Sequence, residues 1–305
     1  MQLGLWANTD DLTAHHVRER LVERGHAVTL ITPDRLGGDA TDLASWVLSG
    51  ADLDSCPVHL VRALPSPFVL PAAGEAAEPV ARRAFEAQER VLFAHAALSA
   101  AEARGARVIN PCASLPFESK AHQLGAFTRA GLPSPRTLIT SLPLAAERFV
   151  EALAAEGAQT IAKPLIGGAT ARLVDDAVRE RLVSLAASPI ILQERIVGDD
   201  VRVTVVDGAV VSAVVIESDA LDYRDDRAYA AGHARYRPID LPDDVRGLAL
   251  RAAALCAHVI SGVDLKRASD GRFVVLEANG APRWLDIEEK TNASITAAVL
   301  TALGA

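Results

Sequence analysis

Two acids and an amide late in the chain have the types and spacing to hold a cation. In SGVDLKRASDGRFVVLEANGAP, residues 261–282, Asp270-Gly271 is a two-residue turn signal between alternating runs. If those two residues form the loop, Ser269 pairs with Arg272, and counting outward sets Asp264 opposite Glu277. Asn279, two residues beyond Glu277, shares that face. Cross-strand Cβ atoms lie roughly 4.5–5.5 Å apart, and facing like charges repel. A divalent ion between them removes the repulsion, and hard oxygen donors suit Mg²⁺ or Mn²⁺. A solvated hairpin with scattered acids, or a carboxyl pair sharing one proton, satisfies the same pattern. The opposite face, Val263, Leu265, Val274 and Leu276, reads as core.

Two other groups carry chemistry. Lys163 interrupts the apolar run Thr160-Ile161-Ala162, and a lysine there needs an anionic partner. Gly167-Gly168 follow in a stretch without bulky side chains, so backbone N–H groups are free to approach phosphate oxygens; a plain turn is the alternative. Gln193-Glu194 ends a strand and Gly198-Asp199-Asp200-Val201-Arg202 opens the next. An arginine placed there holds a phosphate while the aspartate takes hydroxyls, unless the two form only a surface ion pair.

The elements that must position these groups follow from periodicity. Residues 3–6 and 27–32 read as strands around a helix over 8–25, a βαβ unit with a parallel sheet. No GxGxxG follows the first strand, so the dinucleotide fingerprint is missing. Residues 37–79 give no firm assignment beyond a strand at 58–61; a helix over 78–104 and a strand at 107–110 follow. Next come helix, strand, helix, strand, loop, a helix over 175–187 and a strand, joined by short links. A hairpin turns at Asp207-Gly208, and a loop is expected over 219–237. A helix over 242–260, the acid-bearing hairpin and one last helix within 288–303 complete the chain. The expected domains are 1–112, 113–194 and 195–305.

With 305 residues, 50% hydrophobic and 23% charged, the chain is long enough for more than one core. A net charge of −8 points away from nucleic-acid and membrane-surface partners. Cys56, Cys112 and Cys256 are far apart without CxxC, which argues against a disulfide framework or zinc knuckle and fits a reducing cytoplasm. The eight histidines make no metal-spaced set. No run reaches the ~18–20 apolar residues of a spanning helix, and MQLGLWANTDD does not read as an export signal.

Five stretches together resemble the ATP-grasp superfamily, specifically its RimK-like carboxylate–amine ligases. They are VINPCASLPFESK…AGLPSPRTLIT, IAKPLIGG, ILQERIVGDDVRVTVVDGAVV, GVDLKRASDGRFVVLEANGAP and IEEKTNASITAAV, in order from about Val108 onward. The resemblance implies an α/β and α+β ATP-grasp fold: an N-terminal βαβ (pre-ATP-grasp) domain, a small central lid domain and a C-terminal antiparallel-sheet domain. It implies that Lys120 and Lys163 contact ATP phosphates, with Gly167 and Gly168 in the phosphate loop. Gln193, Glu194 and Ile196 would meet adenine, and Asp200 the ribose. Arg202 would lie near the γ-phosphate and acyl phosphate, with Asp264, Glu277 and Asn279 as magnesium (or manganese) ligands, the set the hairpin register reaches on its own. Asp222-Tyr223-Arg224 is similar to the family's Asp-aromatic-Arg, whose arginine faces the substrate carboxylate or phosphate; a loop ion pair is the alternative. Two departures stand out. Thr170 and Arg172 occupy later glycine positions of the phosphate loop, where they limit backbone approach while offering a hydroxyl and a charge, and Asn292 replaces a glycine of the tail.

The implied function is an ATP-dependent, cytoplasmic ligase. It joins a small-molecule carboxylate and an amine, or acts on a peptide, through an acyl phosphate and releases ADP and phosphate. No nucleic acid or membrane takes part, and a homodimer is the expected assembly. Two other readings stand beside it. One is a graspetide-type macrocyclase linking Asp or Glu of a ribosomal precursor peptide to Lys, Ser or Thr. The other is a nucleotide-binding protein without turnover, motivated by the altered phosphate loop. Arg224, Arg227, Arg235, Arg237 and Arg283 hint at an acidic substrate.

Overall fold

The computed structural model describes every residue except 34, 35, 37, 42–44, 49, 50, 166–169 and 219. The chain divides into two compact units. The first contains Met1–Ser114, His258–Ile260 and Thr296–Ala305; the second contains Leu115–Ala257 and Ser261–Ile295.

The first unit begins with β1 (Gln2–Trp6), α1 (Leu12–Glu23) and β2 (Ala27–Ile31). Asp11 caps α1 by accepting from Ala14 N at 3.0 Å. Next are β3 (Gly38–Thr41), β4 (Ser45–Leu48), β5 (Ala51–Asp52), β6 (Val58–Val61), α2 (Ala77–Ala103) and β7 (Arg107–Ile109). The main sheet runs β2-β1-β6-β7, all parallel. Strands β3, β4 and β5 form a small antiparallel sheet in the stretch the sequence left unassigned. Alanines 94 and 97 let α2 lie close over Trp6, Ile31 and Val108. His59 is buried in β6; Trp6 Nε1 donates to its Nδ1 at 3.3 Å, and among the described residues its Nε2 has no hydrogen-bond partner.

The second unit holds two sheets. The first is built from α3 (Lys120–Arg129), β8 (Thr137–Thr140), α4 (Pro143–Ala155), β9 (Thr160–Lys163), β10 (Arg172–Leu173), α5 (Asp176–Glu180) and β11 (Ile190–Glu194). Its order is β10-β9-β11-β8, antiparallel throughout. Ala146 and Val150 of α4 pack on Ala162 and Leu192. The helix expected over 175–187 is α-helical only in α5 and continues as a 3-10 turn.

The second sheet is built from β12 (Gly198–Val206), β13 (Ala209–Glu217), α6 (Arg227–Ala230), β14 (Arg235–Pro238), α7 (Asp243–Leu255), β15 (Ile260–Ala268) and β16 (Phe273–Asn279). Its strand order is β14-β13-β12-β15-β16. Val201, Val203 and Val205 pack with Val245, Ala249 and Ala252 of α7. The pleat therefore leaves Asp200 and Arg202 on the other face. The turn between β12 and β13 is at Asp207-Gly208, with φ of 49° and 75°.

Several elements differ from expectation. In the acid-bearing hairpin Arg267 pairs with Phe273, and Ala268 N donates to Arg272 O at 2.8 Å. The loop is thus residues 269–271, one longer than the two-residue turn, and the pairing near it is one residue out. A bulge at Leu276 corrects the count: Leu265 faces Val275, yet Asp264 faces Glu277 and Gly262 faces Asn279. Val275, not Leu276, therefore joins Val263 and Leu265 in the core. Residues 219–237 are not all loop, since they contain a turn at Tyr223–Asp225, α6 and β14. The helix expected over 242–260 stops at Leu255, and the chain turns through Ala257 at φ 55° into β15. The single closing helix is two, α8 (Leu285–Thr291) and α9 (Ile295–Ala302), separated by Asn292 in the left-handed region at φ 56°. Among the described residues no helix is long and apolar enough to cross a membrane, and all three cysteines are free.

Candidate functional site

A cavity of about 480 Å³ opens in the second unit and is lined from both of its sheets. Lys120, Lys163, Gln193, Glu194, Ile196, Asp200, Arg202, Arg224, Asp264, Glu277 and Asn279 all line it. Gly167 and Gly168 lie outside the described residues. Arg172 does not line it. It sits in β10 opposite the buried Ala162 and borders a separate groove with Asp175 and Arg181, so its charge is not delivered to the cavity.

Each charged side chain is placed by a definable local cause. Lys120 opens α3 behind the cap Ser119. One turn on, Gln123 locks the helix to β16: its amide donates to Ala278 O at 2.8 Å and accepts from Ala278 N at 2.9 Å. That bracket sets Lys120 Nζ 3.0 Å from Glu277. Arg202 lies on the cavity face of β12 and grips Asp264 through Nε at 2.5 Å and Nη2 at 3.1 Å. Its Nη2 also donates to the Tyr223 hydroxyl at 2.8 Å. A Cβ on Gly262 would stand 3.0 Å from Arg202 Nη1 and 2.8 Å from Pro282 Cβ, so glycine there leaves the guanidinium its room. Asp222 holds Arg224 at 2.8 and 2.5 Å and accepts from Ala171 N at 3.2 Å, which ties the end of the β9–β10 loop to the same group. Tyr229 meets Tyr223 edge to face at 4.9 Å between ring centroids.

Electrostatically the site favours anions. Lys120, Lys163, Arg195, Arg202, Arg224, Lys266 and Arg283 outnumber Glu194, Asp200, Asp222, Asp264 and Glu277 around the cavity. Burial pushes Lys163 below the ordinary ammonium range, aided by the like charge of Lys120 and opposed by Glu277. Its Nζ donates to Gln193 Oε1 at 2.9 Å, a neutral partner, and no carboxylate among the described residues pairs with it at contact distance. Burial also pushes Asp264 upward, against the pull of Arg202. Glu277 lies below its ordinary range: burial works against this, but Lys120, Lys163 and Arg202 together outweigh it.

The donor chemistry at Asp264 and Glu277 fits a divalent ion. The two carboxylates are direct cross-strand partners, and Asn279 lines the same cavity, its Oδ1 accepting from Ala281 N at 2.8 Å. Among the described residues no cluster of three His, Cys, Asp or Glu forms a closed metal cage. Magnesium matches that arrangement, because it keeps several waters and binds through one or two carboxylates plus substrate phosphates.

Sequence reasoning missed Lys266, Tyr229 and Leu276, which also line the cavity. Lys266 was within reach, since it lies two residues past Asp264 on one strand. Leu276 was not, because its orientation comes from the bulge.

The family model for the RimK-like ATP-grasp domain matches residues 118–303. The ATP-grasp ligase PsnB, solved with minimal precursor, Mg and ADP, is 30% identical with a TM-score of 0.80, over 99% of this chain and 96% of that one. The macrocyclase MdnC from Microcystis aeruginosa MRC, bound with precursor peptide MdnA, is 19% identical with a TM-score of 0.79 over 99% of each chain, a likeness of fold. A D-alanine–D-alanine ligase of Gloeobacter violaceus is 29% identical over 172 residues, 51% of this chain and 56% of that ligase. The match thus spans little more than half of that curated relative. With a family match over more than half its length and the expected mixed α/β architecture, the chain belongs to the RimK-like ATP-grasp domain family.

Proposed function

We propose that the protein is an ATP-dependent ligase that activates a carboxylate as an acyl phosphate and passes it to an amine. One observation carries the reading: two cross-strand carboxylates, Asp264 and Glu277, share a cavity with Lys120, Lys163, Arg202 and Arg224. Gln193, Glu194 and Ile196, where β11 passes into β12, receive the adenine. Lys120 and Lys163 take phosphate oxygens, and a phosphate supplies the anion Lys163 lacks. Asp264, Glu277 and Asn279 hold Mg²⁺, which when bound supplies positive charge at the phosphate oxygens. A carboxylate oxygen of the substrate attacks the γ-phosphorus in line and ADP departs. The nucleophile then attacks the acyl carbon, loses its proton and expels phosphate. Arg202 and Arg224 stabilise charge on the transferred group, so catalysis is chiefly positioning and electrostatics.

The substrate carboxylate belongs to a peptide. The 30% identity with PsnB, a ligase solved with its precursor, supports this over nearly the full length of both chains. Ligation of free amino acids is the second reading, favoured by the partial match to the D-alanine–D-alanine ligase. An ADP-release assay with Mg²⁺–ATP, run against free amino acids and against peptides rich in Asp and Glu, separates the two. Release stimulated by peptides and not by amino acids is expected. Stimulation by amino acids alone reverses the order, and no stimulation by either removes the ligase reading.

A further inference from the structure

Lys290, in the last turn of α8, does not line the cavity, yet its ammonium is fully engaged. Nζ donates to Gly232 O at 2.8 Å and to Ala234 O at 2.9 Å. Asp286 Oδ1, one turn earlier on the helix, lies 2.6 Å away. Three acceptors thus match the three protons of an ammonium. The Tyr236 ring adds a face, with Nζ 5.5 Å from its centroid. A surface ion pair alone would be loose, but this set fixes the side chain in one place.

What Lys290 holds is the turn between α6 and β14, where Gly232 takes a φ of +74°. Gly232 N donates in turn to Tyr229 O at 3.0 Å. With only four residues, α6 cannot sustain itself as a helix, so its place depends on such anchors. Tyr229 lines the cavity, and its hydroxyl has no hydrogen-bond partner among the described residues. Its position therefore comes from the backbone and from its edge-to-face contact with Tyr223. The Tyr223 hydroxyl accepts from Arg202 Nη2, and Asp264 takes Nε and Nη2. Nη1 of Arg202 has no hydrogen bond to the described residues and is the nitrogen left for another anion. A continuous line of contacts thus runs from an ammonium outside the cavity to a guanidinium within it.

We propose that Lys290 is a positioning residue for Arg202: it latches the turn after α6, and the Tyr229–Tyr223 pair then holds the guanidinium with Nη1 free for the transferred group. This rests on the ligase reading above, in which Arg202 stabilises charge on that group.

The test compares wild type, K290M, K290R, Y229A and K290M/Y229A as full chains. ADP release is measured with Mg²⁺–ATP and the carboxylate substrate that stimulates wild type, and Mg²⁺–ADP affinity by calorimetry. K290M should lose about 10-fold or more in kcat, the scale of a slightly misplaced group, while ADP affinity stays within twofold of wild type. K290R, which keeps donors for the two carbonyls, should recover part of the loss. The double variant should fall no more than about twofold below the weaker single variant, because both changes break the same line. If K290M does not fold, K290A takes its place and the same results decide. A kcat within twofold of wild type, ADP affinity falling in parallel with kcat, or losses that multiply in the double variant each overturn the proposal and leave Lys290 as a structural staple. These outcomes leave the ligase reading standing; absence of stimulated ADP release from wild type overturns both.

Discussion

At the scale of single residues, Arg202 decides how the cavity holds its charge. It neutralises the buried Asp264 with two hydrogen bonds and spends a third contact on Tyr223. R202M strands Asp264 without a cation, so unfolding free energy should fall by about 3–5 kcal/mol. R202K keeps the charge but not the planar fork; kcat should drop about 100-fold while the denaturation midpoint moves far less. Equal loss of stability in both variants would show that geometry, not charge, sustains Asp264. Legibility at this scale was uneven. The facing of Asp264 and Glu277 was reached by a count that the bulge at Leu276 restores, whereas Lys120 was reachable only through the resemblance. Its place beside Glu277 depends on Gln123 bracketing Ala278, a contact across 155 residues that no local pattern announces.

At the scale of elements, the hairpin of β15 and β16 shows how a wrong count met a right pair. The assumed two-residue turn and the observed three-residue loop differ by one, and the bulge at Leu276 cancels the difference before Glu277. Bulges carry little sequence signature, so Leu276 was read as core while Val275 took that place; Val274 is buried as expected. V275A should therefore cost about 2 kcal/mol by denaturant titration, while L276A should change stability much less and weaken ADP binding instead. The reverse pattern would return Leu276 to the core. Strong alternation made β12 and β13 easy to read, and their turn fell where the sequence placed it. The closing helix was harder, because its interruption at Asn292 rests on one residue that tolerates the left-handed region.

At the scale of the whole molecule, the fold class and the run of elements from Val108 onward were readable. The stretch over 37–79 was not, apart from the strand at 58–61, for it pairs short strands without strong periodicity. Stability should carry a mark of the first unit. Burial holds His59 at about 4, aided by Arg104, and burial alone holds His258 at about 4. The unfolded chain takes up these protons near pH 6.5, the native chain only near 4, so the contribution of these two histidines to stability is flat above 6.5 and falls as pH drops from 6.5 to 4. The buried His59 accounts for about 3 kcal/mol of that fall, and H59Q should flatten the slope measured by chemical denaturation. An unchanged slope in H59Q would place the titration elsewhere. The most direct test of the central claim is trapping with hydroxylamine. Wild type and E277Q are incubated with Mg²⁺–ATP, hydroxylamine and an Asp- and Glu-bearing peptide, and ADP and peptide hydroxamate are measured together. Wild type should yield both in step, and E277Q, still folded, should yield neither. Hydroxamate at wild-type levels from E277Q, or ADP from wild type without hydroxamate, would contradict the account.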